Sequence, residues 1–460
     1  LERALAPWAH WERPRNGSGL EPVELLLTFC RAARSCRDPF VVVALWEGDV
    51  YLRPCGVDSL DRAGLYLVGP EDLALASSLL LAVQRAGAPP RGPVAFGMYL
   101  SDYTCLLDRH MVGPGLPIFA YLRRDTTWLI PFPSSFTLHA TYQIEEWQRK
   151  GSAASAWWWS SQRSGSFSGK PWHKRVAKAY WIGTITGPWQ FVPDADLAAV
   201  PRLHLLRLAS MHPEQLVAEW SAVASYGISW ATGNSTLVAG ALAEGAREIQ
   251  NLTGVERSRY KQYDKWDDFK YFVNLDGVVM GGRISKLLSL GGVLLQHEAG
   301  YYESVDALAR PWEHYVPIAY DLSDLVAKVE WLQAHDDEAR AIAARGQALA
   351  LRRMRLEDHL CYVWRAVEAL AAWTVPVHPA EDGRRVAARL AEEKFRRLSV
   401  KDDDMRATFE AFWGQRLENV TFGKRKMSRN SIRLLQWLWG RVGALLKDSH
   451  ASWSRRGKTK

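Results

Sequence analysis

The sequence predicts an α/β fold. Short apolar runs of strand character alternate with helical stretches along most of the chain, and no fixed-period repeat interrupts them. A stretch rich in small and polar residues, Gly151–Gly169, separates two such alternations, and a charged helical tail follows from about Pro376. At 460 residues with 48% hydrophobic content, the chain has apolar mass for large cores in two or three domains.

The elements follow in order. Phe40–Trp46 (FVVVALW) and Gly64–Gly69 (GLYLVG) read as strands, being short runs of branched and aromatic residues. Pro70–Gly87 reads as a helix, with Glu71 and Asp72 in its first turn, where carboxylates meet the positive dipole end, and Gly87 as its stop. Pro93–Tyr103 is a strand running into a loop, and Leu116–Arg123 is the next. Gly151–Gly169 (GSAASAWWWSSQRSGSFSG) is a domain connection or a mobile loop, and its Trp157, Trp158 and Trp159 suit either a sugar or partner surface or a buried anchor. Lys178–Gly187 (KAYWIGTITG) is a strand entering a glycine-containing turn. Asp321–Ala350 holds two helices, for which Asp321 and Asp336 are the expected caps. Ser431–Leu446 is amphipathic; its 16 residues with two arginines are too short and charged for a membrane span. Packing across both domains is its expected use, and interfacial membrane contact is second.

One stretch carries chemistry. In Phe269–Gly292 (FKYFVNLDGVVMGGRISKLLSLGG) a buried strand, Tyr271–Leu275, ends in Asp276-Gly277. A helix from Arg283 to Ser289 follows, stopped by Gly291-Gly292, and Val293–Gln296 is the next strand. Ligands of such units bind at the carboxyl ends of the strands, where a helix start offers free N–H groups to an anion. Gly281 and Gly282 let a backbone come close, and Arg283 adds a forked cation. The stretch therefore suits a phosphate. It is neither a G-x-G-x-x-G fingerprint nor a P-loop, and a turn whose arginine pairs with Asp276 satisfies the same residues.

The net charge of +8 favours anionic partners: a phosphorylated small molecule, a membrane surface or nucleic acid. No nucleic-acid motif accompanies it, although the end of the chain, Ser454–Lys460, is basic. Cys30, Cys36, Cys55, Cys105 and Cys361 include no Cys-x-x-Cys pair, which argues against a zinc ribbon. Sequons at Asn16, Asn234, Asn251 and Asn419, together with the cysteines, tilt the chain towards a secretory compartment. Two acidic triplets imitate metal-binding Asp-x-Asp motifs: Asp194–Asp196, which can hold a metal, and Asp402–Asp404, which reads as a solvated face. His314 reads as a structural hydrogen-bonding residue.

The run from Phe269 to Arg365, containing PWEHYVP, DLSDL and HDDEARAIAARG, resembles the Rumi-type glycosyltransferase family of protein O-glucosyltransferases and fungal capsule-synthesis xylosyltransferases. PWHKRVAKAYWIGTITG and YLSDY resemble it more weakly. The resemblance implies a GT-B architecture of two Rossmann-like domains facing a cleft. Residues 1–170 would form the acceptor-side domain, 171–375 the nucleotide-sugar domain, and 376–460 a helical basic extension. It implies inverting transfer of xylose or glucose from a UDP-sugar to a hydroxyl of a glycan or protein, with no metal or other cofactor. A catalytically weakened, glycan- or partner-binding member is the alternative. Asp102 in YLSDY is implied as the catalytic base, since an inverting transfer needs a carboxylate to take the acceptor proton. Arg283, Gly281 and Gly282 are implied at the diphosphate, Gly183 and Thr184 beside them, and Glu298 at the ribose.

One departure bears on the donor. Where the family carries arginines after its strand, this chain has Ile182, Ile185 and Gln190. Either Arg283 bears more of the charge or an arginine from elsewhere replaces them. The resemblance also implies a disulfide from Cys361, in EDHLCYVW, to one of Cys30, Cys36 and Cys55, and a place in the Golgi or endoplasmic reticulum lumen, with membrane association through an N-terminal anchor absent from this sequence.

Overall fold

The structure, a computed structural model, describes residues 26–27, 40–55, 70–86, 94–99, 117–121, 123–124, 129–150, 170–185, 200–223, 246–247, 249–251, 253–258, 265–277, 283–374, 385, 388–393, 395–399, 404–422 and 425–456. In chain order the elements used below are β1 (Phe40–Trp46), β2 (Asp49–Cys55), α1 (Pro70–Ala86), β3 (Val94–Tyr99), β4 (Ile118–Ala120), β5 (Ile130–Pro131), α2 (Ser135–Lys150), β6 (Val176–Ile185), α3 (Pro201–Met211), β7 (Leu216–Val223), β8 (Phe269–Asn274), α4 (Ile284–Ser289), β9 (Val293–His297), β10 (Val316–Ile318), α5 (Leu325–Ala334), α6 (Asp336–Arg353), α7 (Leu356–Thr374), β11 (Arg396–Leu398), α8 (Met405–Trp413) and α9 (Arg429–Arg456). The class is α/β, as the alternation requires. The strand expected at Gly64–Gly69 and the connection Gly151–Gly169 lie outside the described residues.

The chain divides into two compact units. The first comprises residues 1–142, 302–307 and 356–460. Its six-stranded sheet has the order β11-β2-β1-β3-β4-β5, antiparallel from β11 to β3 and parallel from β3 to β5. The β1–β2 hairpin turns on Glu47 and Gly48, both with left-handed φ (52° and 84°), the conformation a two-residue hairpin needs. The tail expected as a separate extension belongs here. The apolar face of α9 buries Leu434, Leu435, Leu438 and Val442 in one core with Leu79 and Leu80 of α1 and with Val363 and Val367 of α7. Trp439 Nε1 donates to Ser78 Oγ at 2.8 Å, tying α9 to α1. The amphipathic pattern is thus used for packing, and among the described residues no helix is long and apolar enough to cross a membrane.

The second unit comprises residues 143–301 and 308–355. Its five strands are all parallel, in the order β10-β9-β8-β6-β7. An isolated parallel bridge, Trp220 to Arg257, continues the sheet beyond β7. In chain sequence this is the 3-2-1-4-5-6 winding of a Rossmann-like sheet, whose direction of winding switches between β6 and β8. A fully buried parallel sheet asks for near-continuous apolar strands. Tyr180, Trp181 and Ile182 of β6, Tyr271, Phe272 and Val273 of β8 and Val293, Leu294 and Leu295 of β9 supply them, all buried.

The motif pieces PWEHYVP and HDDEARAIAARG meet in this unit. A Cβ on Gly346 of α6 would lie 2.5 Å from the carbonyl oxygen of His314 and 2.9 Å from Leu288 of α4. Glycine there lets α6 close on both. Arg345 Nε, beside it, donates to the carbonyl of Glu313 at 2.8 Å. The cap assignments change, however. Asp336 opens α6 but accepts from Trp172 Nε1 (3.0 Å) and Lys270 Nζ (2.6 Å), while His335 occupies the cap position. Asp321 accepts from the backbone and hydroxyl of Ser323, and Asp324 stands at the cap of α5. Each carboxylate found a stronger or nearer donor than the first turn of its helix.

Candidate active site

The carboxyl ends of β6 and β8, on either side of the winding switch, gather buried cations. β6 ends at Gly183, Thr184 and Ile185, with a register shift against β7 between Gly183 and Thr184. Such irregularities bend a strand and re-aim its end. A Cβ on Gly183 would meet the Trp181 ring at 2.7 Å, so the glycine lets that ring fold back along the strand. Ile182 and Ile185 are fully buried core side chains, not replacements for phosphate contacts.

A buried cation from α3 reaches these strand ends. Arg202, buried, donates from Nη1 to the carbonyl of Thr184 (2.6 Å), from Nε to that of Asp276 (3.0 Å) and from Nη2 to that of Leu275 (3.2 Å). One planar guanidinium thereby holds the ends of β6 and β8 together. Its carbon lies 5.8 Å from the centre of the Trp181 ring. No local sequence pattern marks Arg202 for this place.

Arg283, the residue singled out in the sequence, is buried just before α4. Its Nη1 donates to the carbonyl of Ile182 at 3.1 Å, and its guanidinium stands 5.6 Å over Trp266. One turn on, Lys286 is 2% exposed. Burial, then the adjacent Arg283 charge, lowers Lys286 to about 7. Burial and the same Arg283 charge lower Arg202 to about 9, against the pull of Asp276. The Arg283 charge thus lowers the protonation of both Lys286 and Arg202 in a low-dielectric place. Burying each ion is worth several kcal/mol against folding unless an opposite charge answers it. Asp276 raises Arg202 against burial, and its side chain stands 3.5 Å from His297 Nδ1.

The other candidates are placed as follows. Glu298 is exposed immediately after β9, and its backbone N–H donates to the carbonyl of Ile318 at 3.0 Å, so it sits at the same carboxyl edge. Asp102, Gly281, Gly282, Gln190 and the triplet Asp194–Asp196 lie outside the described residues. Asp404 is exposed, as expected, and also caps α8, accepting from Ala407 N at 2.9 Å. His314 Nδ1 accepts from Arg310 N at 3.1 Å, the structural role expected of it; burial lowers its pKa and favours the neutral ring that can accept. The disulfide expected at Cys361 is not formed. That thiol is free and exposed on the outer side of α7, whose Val363, Ala366, Val367 and Leu370 face the core. Cys55 is disulfide-bonded, and not to Cys361. Asn251 and Asn419 are exposed, but the sequon hydroxyl of Thr253 is buried and donates to Ile249 O at 2.7 Å. Asn16 and Asn234 lie outside the described residues.

A model of glycosyl transferase family 90 matches residues 104–376, more than half of the chain and all of the cation cluster. The chain belongs to glycosyl transferase family 90. Among curated relatives, protein O-glucosyltransferase 2 of Danio rerio is 32% identical over 139 residues, 29% of this chain and 28% of that protein. Protein O-glucosyltransferase 3 of Rattus norvegicus is 38% identical over 115 residues, 25% of this chain and 23% of that protein. The chain thus spans about a quarter of the length of these relatives. Among solved structures, Anabaena HepE in complex with UDP and glucose is similar with a TM-score of 0.28 and 12% identity, over 52% of this chain and 56% of that one. For this family 90 chain, the glycines that surround Arg283 in sequence and the three cations are the residues to be explained.

Proposed function

We propose that this family 90 chain transfers glucose or xylose from a UDP-sugar to a hydroxyl of a protein or glycan, with inversion and without a metal. The observation that carries the proposal is the convergence of Arg202, Arg283 and Lys286 at the carboxyl ends of β6 and β8. In a sheet wound this way the switch point is where a nucleotide's phosphates bind. A diphosphate is an anion that a buried positive cluster attracts, and a guanidinium suits its paired oxygens.

The chemistry assigned to the chain is one displacement. The acceptor oxygen bonds to the anomeric carbon of the donor sugar as Asp102 takes the hydroxyl proton. The bond from that carbon to the diphosphate oxygen breaks, and its electron pair leaves with UDP. Arg283, with Lys286 and Arg202, meets the charge that grows on the leaving diphosphate, the electrostatic task a metal performs in other transferases. Gly281 and Gly282 let the backbone reach the phosphates, Gly183 and Thr184 border them, and Glu298 accepts from a sugar hydroxyl, that of the ribose or of the transferred sugar. The GT-B pairing of the two units, with Asp102 on the acceptor side, belongs to this proposal. So does a lumenal place in the secretory pathway, which the bonded Cys55 supports, since disulfides persist in oxidising compartments.

The weakened-member alternative was motivated by Ile182 and Ile185, which are core residues, and by Gln190. A titration with UDP, followed by release of free sugar from UDP-glucose and UDP-xylose with and without chelator, tests the proposal. Tight UDP binding with chelator-insensitive turnover is expected. Binding without turnover on any donor would return the weakened-member reading, and chelator-sensitive turnover would remove metal independence.

A further inference from the structure

Two strands away from the cation cluster the same edge carries a different surface. Tyr320 follows β10 and is 56% exposed, among the most exposed large apolar side chains in the described residues. Its ring is nevertheless held from below. His297, at the end of β9, lies nearly parallel to it, with centroids 5.4 Å apart and planes 24° apart. His297 Nε2 donates to the carbonyl oxygen of Tyr320 at 2.9 Å. The histidine is itself buried, and its Nδ1 stands 3.5 Å from Asp276 Oδ2. The tier Asp276–His297–Tyr320 therefore runs from the phosphate end of β8 to an open aromatic face beyond β10. Glu298 stands beside it, its N–H bonded to the carbonyl of Ile318.

Resting on the UDP-sugar reading above, we propose that Tyr320 and Glu298 form the subsite for the transferred sugar, the pyranose ring stacking on Tyr320 and donating a hydroxyl proton to Glu298. Strands β8, β9 and β10 are adjacent, so the aromatic face is about two strand spacings, roughly 10 Å, along the edge from the end of β8. A diphosphate at the switch point has two flanking groups, nucleoside and sugar, and three observations select the sugar here. The platform residue is more than half exposed, as a ring that must be approached by an acceptor requires. Its polar neighbour is a carboxylate, which accepts from the several hydroxyls of a sugar, whereas the edge of uracil offers one N–H donor between two carbonyl acceptors. The ring is ordered by His297 before any ligand arrives, so stacking a small polar ring on it loses little further side-chain freedom.

The test compares UDP, uridine and UDP-glucose on wild-type protein, Tyr320→Ala and Tyr320→Phe, by calorimetry and by release of glucose. Tyr320→Ala is expected to weaken UDP-glucose binding about three- to tenfold, the range of a lost aromatic contact. UDP and uridine affinities should stay at the wild-type level, and Tyr320→Phe should bind UDP-glucose as wild type does. Equal losses for UDP and UDP-glucose would overturn the inference in favour of a nucleoside contact. Unchanged UDP-glucose binding in Tyr320→Ala would overturn it outright. A wild-type protein that binds none of the three ligands would instead overturn the donor reading on which it rests.

Discussion

The two units differ in the charge they bury. In the first unit several buried polar groups meet in pairs: Ser78 Oγ accepts from Trp439, Thr141 Oγ1 and His359 Nε2 lie 2.9 Å apart, and Thr137 Oγ1 donates to Glu303 at 2.9 Å. In the second, three cations gather at one sheet edge. The same force acts on His359 and Lys286 with different results. Burial lowers His359 to about 4, so it stays neutral through the physiological range, whereas burial and Arg283 leave Lys286 at about 7, inside it. Polar groups satisfied in pairs specify a core. Like charges gathered in one buried place sacrifice folding energy, and such sites are candidates for binding.

The contrast predicts a division of labour, and the largest effect tests it most directly. Asp102→Asn, in the first unit, should lower transfer about 10²–10⁴-fold, the range for loss of a general base. UDP affinity should be nearly unchanged. Near wild-type turnover in the purified variant would release Asp102 from that role and make Asp108 the next carboxylate to examine.

Arg283→Ala, in the second unit, should do the reverse. A charged hydrogen bond is worth about 1.5–3 kcal/mol, so UDP affinity should fall roughly ten- to a hundredfold. Arg202 and Lys286 beside it should hold the loss towards the lower end. Arg283→Lys should rescue in part, because an ammonium lacks the fork. Uridine should bind both forms alike; equal losses for uridine and UDP would mean a damaged fold.

A packing change in the same unit should alter stability rather than chemistry. Gly346→Ala places a methyl against the His314 carbonyl and Leu288 and should destabilise by about 1–3 kcal/mol, the usual range for overpacking. A denaturant midpoint equal to wild type would show that α6 can move away from His314 freely.

The smallest effect is a pH dependence. Lys286 binds an anion as its ammonium, so UDP affinity should decline as pH rises from 7 to 9, roughly three- to tenfold. The second phosphate ionisation lies near pH 6, below this range, so the phosphate adds little slope of its own. Stability without ligand should run the other way. The folded value, about 7, lies below the unfolded value of about 10.4, so the unfolded chain holds more protons between them and this contribution to stability grows with pH across that window. Lys286→Met should flatten both profiles, and a persistent slope in that variant would assign the titration to another group.

Much of the fold was legible because its signals are local. The branched run of β1, the acid-started helix α1 and the strand–loop–helix–strand around Arg283 each declare themselves within about 20 residues, and each is found within a few residues of its expected place. The hairpin strand β2 was missed although Glu47-Gly48 marked its turn, because Arg53 and Pro54 interrupt its alternation. Asp321 and Asp336 do not cap because Ser323, Trp172 and Lys270 compete for their carboxylates, and two of these lie far away in sequence. Cys361 likewise has the right residue type on the wrong face of its helix.

By itself, then, the sequence determined the α/β class, the second sheet's apolar strands and the single forked cation that follows Gly281-Gly282, since hydrophobic period and glycine placement act over one or two elements. Only the tertiary structure decided that Arg202, separated from Asp276 by 74 positions, closes on the same strand ends, and that Lys286 shares their burial. Winding the chain through a switch point brings the starts of two unrelated helices to one sheet edge. Nothing local in PRLHLLRL distinguishes the arginine that faces that edge from the one that does not.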